Sequence, residues 1–211
     1  MMDPTATAAT PPMIVQPVVL VGQAVRLEPL TLDHVAALYV AAQDPDTFLY
    51  FSADPSVSSD KMRAWVAAVL AARDAGTAQP FAIVALPSGR IVGSTRYFDI
   101  SSADRHLEIG HTWIAAEVRR TRLNTEAKYL LLRHAFERLG AIRVQLKTDR
   151  RNERSQRAIE RIGGVLEGIL RNHMILENGY VRDSVLYSIT DGEWPTVKAA
   201  LEAKLAAGGA T

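Results

Sequence analysis

The sequence contains no cysteine. That excludes a disulfide framework, a thiolate metal site and a cysteine nucleophile, and it fits a reducing compartment. Net charge is nearly absent too: 24 Lys and Arg against 23 Asp and Glu leave +1. A broad electrostatic hold on nucleic acid needs a larger excess, so no nucleic-acid partner is expected. No apolar run approaches the roughly 18 residues of a membrane span, so no membrane partner is expected either. The N-terminus lacks a basic segment, and the apolar stretch after it is broken by Gln16 and Pro17. No signal peptide is read, and the expected location is cytoplasmic. His34, His106, His111 and His134 lack metal-ligand spacing, so no metal is expected.

What is present is ordinary for a globular protein: 48% hydrophobic and 22% charged residues over 211 positions. That length favours one domain and suffices for a full core. Residues 1–17, opening Met1-Met2-Asp3-Pro4, read as a disordered tail, and 18–206 as a single domain.

Alternation marks strands at Val25–Leu30 and Ile142–Lys147, a short apolar run marks Phe81–Leu86, and further strands are read at Ile91–Phe98, His106–Ile114, Val165–Leu170 and Val181–Ile189. The turn at Pro87–Arg90 joins the second and third as a hairpin. Helical spacing marks Val35–Ala42 behind an N-cap at Thr31, and a helix from Ser58 or Ser59 to Gly76. A third helix runs Asn124–Leu139, with Asn124 as N-cap, Glu126 in the first turn and Gly140 as stop. A fourth opens at Asn152 and stops at Gly163-Gly164, and a fifth spans about Glu193 to Leu205. Hairpins alternating with helical crossovers predict an α/β fold with a mixed central sheet.

Two segments carry chemistry. Leu107-Glu108-Ile109-Gly110-His111-Thr112-Trp113-Ile114 runs through an arginine-rich loop into the helix at Asn124. A helix N-terminus offers unpaired N–H groups and partial positive charge to phosphate. Arg119, Arg120 and Arg122 stand beside it and suit a pyrophosphate; a solvated surface loop is the alternative. The other segment is Lys147 to Ser155, which ends a strand and starts a helix, with Asn152 and Ser155 three apart on one face. A simply capped helix also satisfies it.

In this order the segments resemble the GNAT superfamily of N-acyltransferases, in its RimJ/RimL-like branch. The resemblance covers Val25 to Trp194. It is carried by Leu107–Ile114, Asn124-Thr125-Glu126-Ala127-Lys128, Asn152-Glu153-Arg154-Ser155 and Arg182-Asp183 to Tyr187. It implies a sheet split by a V-shaped cleft between the strands at His106–Ile114 and Ile142–Lys147. Acetyl-CoA, or another acyl-CoA, would be the co-substrate there and an amine the acceptor. Backbone at Trp113 and Ile114 would pair with pantetheine. The pyrophosphate would sit over Arg119, Arg120, Thr121, Arg122, Leu123, Asn124 and Thr125. Asn152 would touch pantetheine, and Ser155 would protonate the leaving thiolate. The family's glycine-rich loop has arginine at 120 and 122 here. Arginine restricts the backbone conformations glycine permits while its charge favours phosphate, so the expected pose is open. A non-catalytic acyl-CoA sensor is therefore the rival reading.

An ideal pleat puts His106, Glu108, Gly110 and Thr112 on one face, and Leu107, Ile109, His111 and Trp113 on the other. A carboxylate on a central strand is costly to bury unpaired. Burial would move it toward a base's working range, so Glu108 is the candidate general base. Pairing with an arginine such as Arg96 is its structural alternative. His173 is a lesser candidate, and Tyr187 reads as packing. Phe48, Tyr50, Phe51 and Trp65 are expected on the acceptor side by the resemblance. Arg150, Arg154, Arg157 and Arg161 form a helical stripe, read as a solvated face or a contact for the 3′-phosphate of CoA. The acceptor is a peptide N-terminus, a small antibiotic-like amine or a polyamine, and a homodimer is expected because family members often pair.

Overall fold

A computed structural model describes residues 12–207. The elements run β1 (Leu20–Val21), β2 (Val25–Pro29), α1 (Val35–Ala41), α2 (Ser59–Asp74), β3 (Ala78–Ala85), β4 (Arg90–Ser101) and β5 (His106–Ile114). Then come α3 (Leu123–Glu137), β6 (Arg143–Asp149), α4 (Glu153–Arg161), β7 (Val165–Ile175), β8 (Val181–Thr190) and α5 (Trp194–Ala207). One eight-stranded sheet has the order β1-β2-β3-β4-β5-β6-β8-β7. Among the described residues the single parallel junction is β5 against β6, and every other pairing is antiparallel.

The helices cover opposite faces. Tyr97 of β4 donates to the Leu131 carbonyl of α3 at 2.6 Å. Its strand neighbour Arg96 lines a cavity with Trp65 and Val69 of α2. Adjacent strand residues point oppositely, so α3 covers one face and α2 the other. Leu107, Ile109, Leu130 and Leu131 are almost fully buried in the core. Each such side chain stabilises the fold by about 1.5–3 kcal/mol relative to exposure.

Local signals explain most boundaries. Ser58 Oγ accepts from the Lys61 N–H at 3.1 Å and starts α2. Asn152 Oδ1 does the same for the Ser155 N–H of α4 at 3.0 Å. The start of α3 is a correction. Arg122, not Asn124, is its N-cap, and the Glu126 N–H already donates to the Arg122 carbonyl at 2.9 Å. Thr121 Oγ1 receives the Leu123 N–H at 3.3 Å. Glu126 receives the N–H groups of Gln23 and Ala24 at 2.8 and 2.6 Å, which ties the first turn of α3 to the β1–β2 turn. These contacts from outside the helix outweigh the capping preference of Asn124.

The predicted tail is also shortened. Met13 is 2% exposed in the core, and its N–H donates to the Ser102 carbonyl at 3.0 Å. Residues 1–11 of that tail lie outside the described residues.

Candidate active site

The parallel pair of β5 and β6 is also where the sheet opens. His106, Leu107 and Glu108 pair with Arg143, Val144 and Gln145, and the register goes no further. Beyond Glu108, β5 follows β4 to Ile114, while β6 follows β8 to Asp149. The strands therefore diverge into a V. Each strand runs into a helix N-terminus, α3 at Leu123 and α4 at Glu153. Both helix dipoles direct their positive ends toward the carboxyl end of the parallel pair, where an anionic ligand is favoured.

A bulge re-aims the β5 side chains. Gly110 pairs with Arg96 and Trp113 with Ser94, so three steps on β5 match two on β4. His111 is the extra residue, at φ +47°. An extra residue reverses the alternation. The ideal-pleat expectation is thus corrected: His111 turns to the face of Glu108, packing edge-on against Phe98 at 5.0 Å between centroids. Thr112 turns to the α3 face, where Lys128 Nζ donates to its Oγ1 at 2.5 Å. Gly110 leaves room for this: a Cβ there would sit 2.7 Å from the Phe98 ring and 3.3 Å from Glu108 Oε1.

Glu108 sits at the point of the V, 2% exposed. Lys147 Nζ lies 3.0 Å from its Oε2, and Gln145 Nε2 donates to the same oxygen at 2.8 Å. Its structural partner is therefore Lys147 rather than Arg96. Arg96 stays close enough for Glu108 to oppose the effect of burial, which lowers Arg96 to about 10. His111 is pushed down to about 3, first by burial and then by Arg96, Lys147 and Arg182. His173 is lowered by burial, with Lys147 and Arg182 adding to it, and its Nδ1 is 3.0 Å from Ser184 Oγ. Both imidazoles are neutral in a positive field.

The loop between β5 and α3 departs from expectation. Arg119 Nη1 is 3.0 Å from Asp44, its Nη2 donates to Thr47 Oγ1 at 2.7 Å, and its Nε reaches the Ile114 carbonyl at 3.3 Å. Arg122 donates to Gln23 Oε1 at 2.7 Å and lies 3.8 Å from Glu126. Two of the three arginines assigned to pyrophosphate thus hold the loop to the rest of the domain. Arg120 is exposed, at φ +62°, the conformation a glycine would take there without strain. Thr121 Oγ1 donates to the Val118 carbonyl at 2.8 Å, and Leu123 is buried. Asn124 Oδ1 is buried with no hydrogen-bond partner among the described residues.

The expected backbone contacts also separate. A Cβ on Gly93 would lie 2.1 Å from the Trp113 carbonyl oxygen, so that carbonyl faces β4, away from the V. The Ala115 N–H donates to Val92 of β4 as well, so alternation directs the Ile114 groups to the open side. The Trp113 ring is buried against Phe48, with 5.3 Å between centroids.

Across the V, Asn152 and Ser155 occupy the N-cap and third position of α4. A cavity of about 300 Å³ opens beside them, lined by Asp46, Tyr50, Arg151 and Asn152. Arg151 stacks on Tyr180 at 3.5 Å from its centroid and pairs with Asp149 at 2.8 Å. Of the predicted arginine stripe, Arg157 pairs with Glu153 at 3.0 Å, and Arg150 lies 3.4 Å from Asp183.

Sequence reading missed Lys147 and Gln145 as partners of Glu108, and His111 as a residue of the same sheet face. Lys147 and Gln145 share a strand face by alternation, and the register His106↔Arg143 brings that face to Glu108. No sequence signal marks the bulge that brings His111. Among the described residues no cluster of three His, Asp or Glu could hold a metal, and no helix is long and apolar enough to cross a membrane.

Residues 24–165 match the family model described as Acetyltransferase (GNAT) domain. "Putative ribosomal N-acetyltransferase YdaF" of Bacillus subtilis (strain 168) is 31% identical over 176 residues, spanning 80% of this chain and 90% of that protein. The crystal structure of a GCN5-related N-acetyltransferase from Brucella melitensis superposes with a TM-score of 0.85 at 30% identity, covering 92% of this chain and 88% of that one. Mycobacterium smegmatis RimJ in complex with CoA-disulfide shares the fold, with a TM-score of 0.74 at 23% identity, covering 90% of this chain and 93% of that one.

Proposed function

The chain belongs to the GNAT family of acetyltransferases, enzymes that move an acyl group from acyl-CoA, and we propose that it acetylates a primary amine within the V between β5 and β6. The observation that carries this reading is Glu108, a buried carboxylate at the point of the V with one oxygen held by Lys147 and Gln145. Its Oε1 faces the space beside Gly110 and is the candidate proton acceptor.

Acyl-CoA supplies the activated acyl carbon and a thiolate leaving group. Glu108 takes the proton that the amine sheds as its nitrogen bonds to that carbon, directly or through one water. Ser155, at the start of α4, is the candidate to return a proton to the departing sulfur as the carbon–sulfur bond breaks. The Ile114 N–H, directed to the open side, and Asn152 are suited to the pantetheine amides. The N–H groups at the start of α3, with Arg120, are suited to the pyrophosphate. The GNAT match and the relatives named as acetyltransferases favour this enzyme over the acyl-CoA sensor.

Calorimetric titration with acetyl-CoA, followed by thiol release over a panel of amines, tests the reading. Binding with amine-dependent thiol release is expected. Binding without turnover on any amine would support the sensor instead. A homodimer belongs to the same proposal. Strand β7 is a sheet edge with Leu166, Ile169, Leu170 and Ile175 exposed, and sedimentation should show two copies.

A further inference from the structure

The cations near the point of the V outnumber the anions. Lys147 has Glu108 at 3.0 Å. Arg151 and Arg182 share Asp149, at 2.8 and 3.9 Å. Arg96 has no such partner among the described residues. Its Nε is buried without a hydrogen bond, and its guanidinium lies 5.3 Å from the Phe98 ring centroid. A half-buried cation with no carboxylate in ion-pair contact is costly, even with Glu108 nearby, and a ligand anion would offset that cost.

Arg96 is not sealed in the core. It lines a cavity of about 210 Å³ between α2 and the sheet, with Phe51, Trp65, Val69 and His111 around it. His111 lies three residues past Glu108 on β5, and the bulge turns it to the same face, so this cavity opens on the sheet face that carries Glu108. Apolar walls with one fixed charge are the usual build of a specific small-ligand site. The volume is below the roughly 300–1,000 Å³ of drug-sized pockets. A polyamine or a polycationic antibiotic would meet the surplus positive charge of Arg96, Lys147 and Arg182, which like charge disfavours.

We propose that Arg96 seats a carboxylate of the acceptor, so that the substrate class is a primary amine bearing a nearby carboxylate and a compact apolar group. The inference rests on the acyl-transfer reading above and deepens it. The carboxylate comes from a free apolar amino acid or from an acidic residue beside a peptide N-terminus, and both present the same chemistry to Arg96. The planar guanidinium fork matches a carboxylate in two parallel hydrogen bonds. Phe51, Trp65 and Val69 take the apolar group. The positive field that keeps His111 neutral also favours the unprotonated amine, the form that attacks.

The test compares leucine, leucinamide and 3-methylbutylamine as acceptors, alongside short peptides with Asp or Asn at the second position. Wild type, Arg96→Met and Arg96→Lys are assayed, and acetyl-CoA affinity and thermal unfolding are recorded for each. The wild-type KM is expected to be at least about tenfold lower for a carboxylate-bearing acceptor than for its neutral analogue. Discrimination among the leucine set assigns the carboxylate to a free amino acid, and discrimination among the peptides assigns it to a side chain. Arg96→Met should abolish the discrimination with unchanged acetyl-CoA affinity, and Arg96→Lys should restore part of it. Equal KM for acids and neutral analogues in wild type overturns the proposal, as does an equal loss on every acceptor in both variants. Binding of N-acetylleucine against N-acetylleucinamide is measured in parallel and needs no turnover. Selective binding of the acid without any turnover would support the carboxylate seat while contradicting acyl transfer. Turnover with no selectivity would do the reverse.

Discussion

Lys147 Nζ lies 3.0 Å from Glu108 Oε2, an ion pair that ties β6 to β5 where the two strands cease to pair. The Glu108 side chain is 3% exposed and that of Lys147 17%. Removing one partner of a buried pair typically costs about 3–5 kcal/mol, because the remaining charge stays buried. Lys147→Met is therefore expected to lower stability by about 3 kcal/mol, with Gln145 still holding the carboxylate. Denaturant unfolding checks this.

Arg120 holds a left-handed backbone, φ +62°, on an exposed loop. That conformation costs a non-glycine residue about 1–2 kcal/mol. Arg120→Gly should stabilise the fold by about 1 kcal/mol, raising Tm by roughly 2–4 °C. Calorimetric melting measures this. The same variant removes the loop's exposed guanidinium, so a weaker hold on acetyl-CoA alongside a higher Tm would assign Arg120 to the phosphate.

His111 gives the fold an acid sensitivity. Its folded pKa, about 3, is below its ordinary 6.5, so from pH 6.5 down to 3 the unfolded chain binds a proton that the folded chain refuses. Stability is fully present above that window and falls through it. His111→Gln should flatten the decline between pH 6 and pH 4 in urea unfolding, while the parent loses up to a few kcal/mol.

Lys128 gives the opposite end of the scale. Burial lowers it from 10.5 to about 7, with Glu108 opposing, while its Nζ donates to Thr112 Oγ1 at 2.5 Å. Below about pH 7 both states are charged and the folded one carries the burial cost; between 7 and 10.5 only the unfolded state keeps the proton. Stability should therefore rise with pH across that window, and Lys128→Met should remove the rise. Unfolding at pH 6, 8 and 9.5 tests it.

Much of the fold was legible because it rests on local rules. The alternation of Val25–Pro29 and His106–Ile114, the caps at Ser58 and Asn152 and the stop at Gly140 each act within a few residues. Glu108 was legible for the same reason, as a carboxylate on a central strand. The rest needed contacts between distant positions. Arg119 reads as a free loop arginine in the sequence, but Asp44 and Thr47, more than 70 residues away, hold it. Asn124 looks like a cap until Glu126 is bound by Gln23 and Ala24. The bulge at His111 adds one residue to a strand whose alternation reads as unbroken, and it moves His111, Thr112 and Trp113 across the sheet.

The role of Glu108 is tested most directly by the single-turnover rate of acetyl transfer in Glu108→Gln, measured beside its Kd for acetyl-CoA. Glutamine keeps the shape and can still meet Gln145 and Lys147, but it takes no proton. The rate is expected to fall by about 10²–10⁴-fold while the Kd changes by less than about twofold. An unchanged rate would contradict Glu108 as the base, as would a loss confined to acetyl-CoA binding.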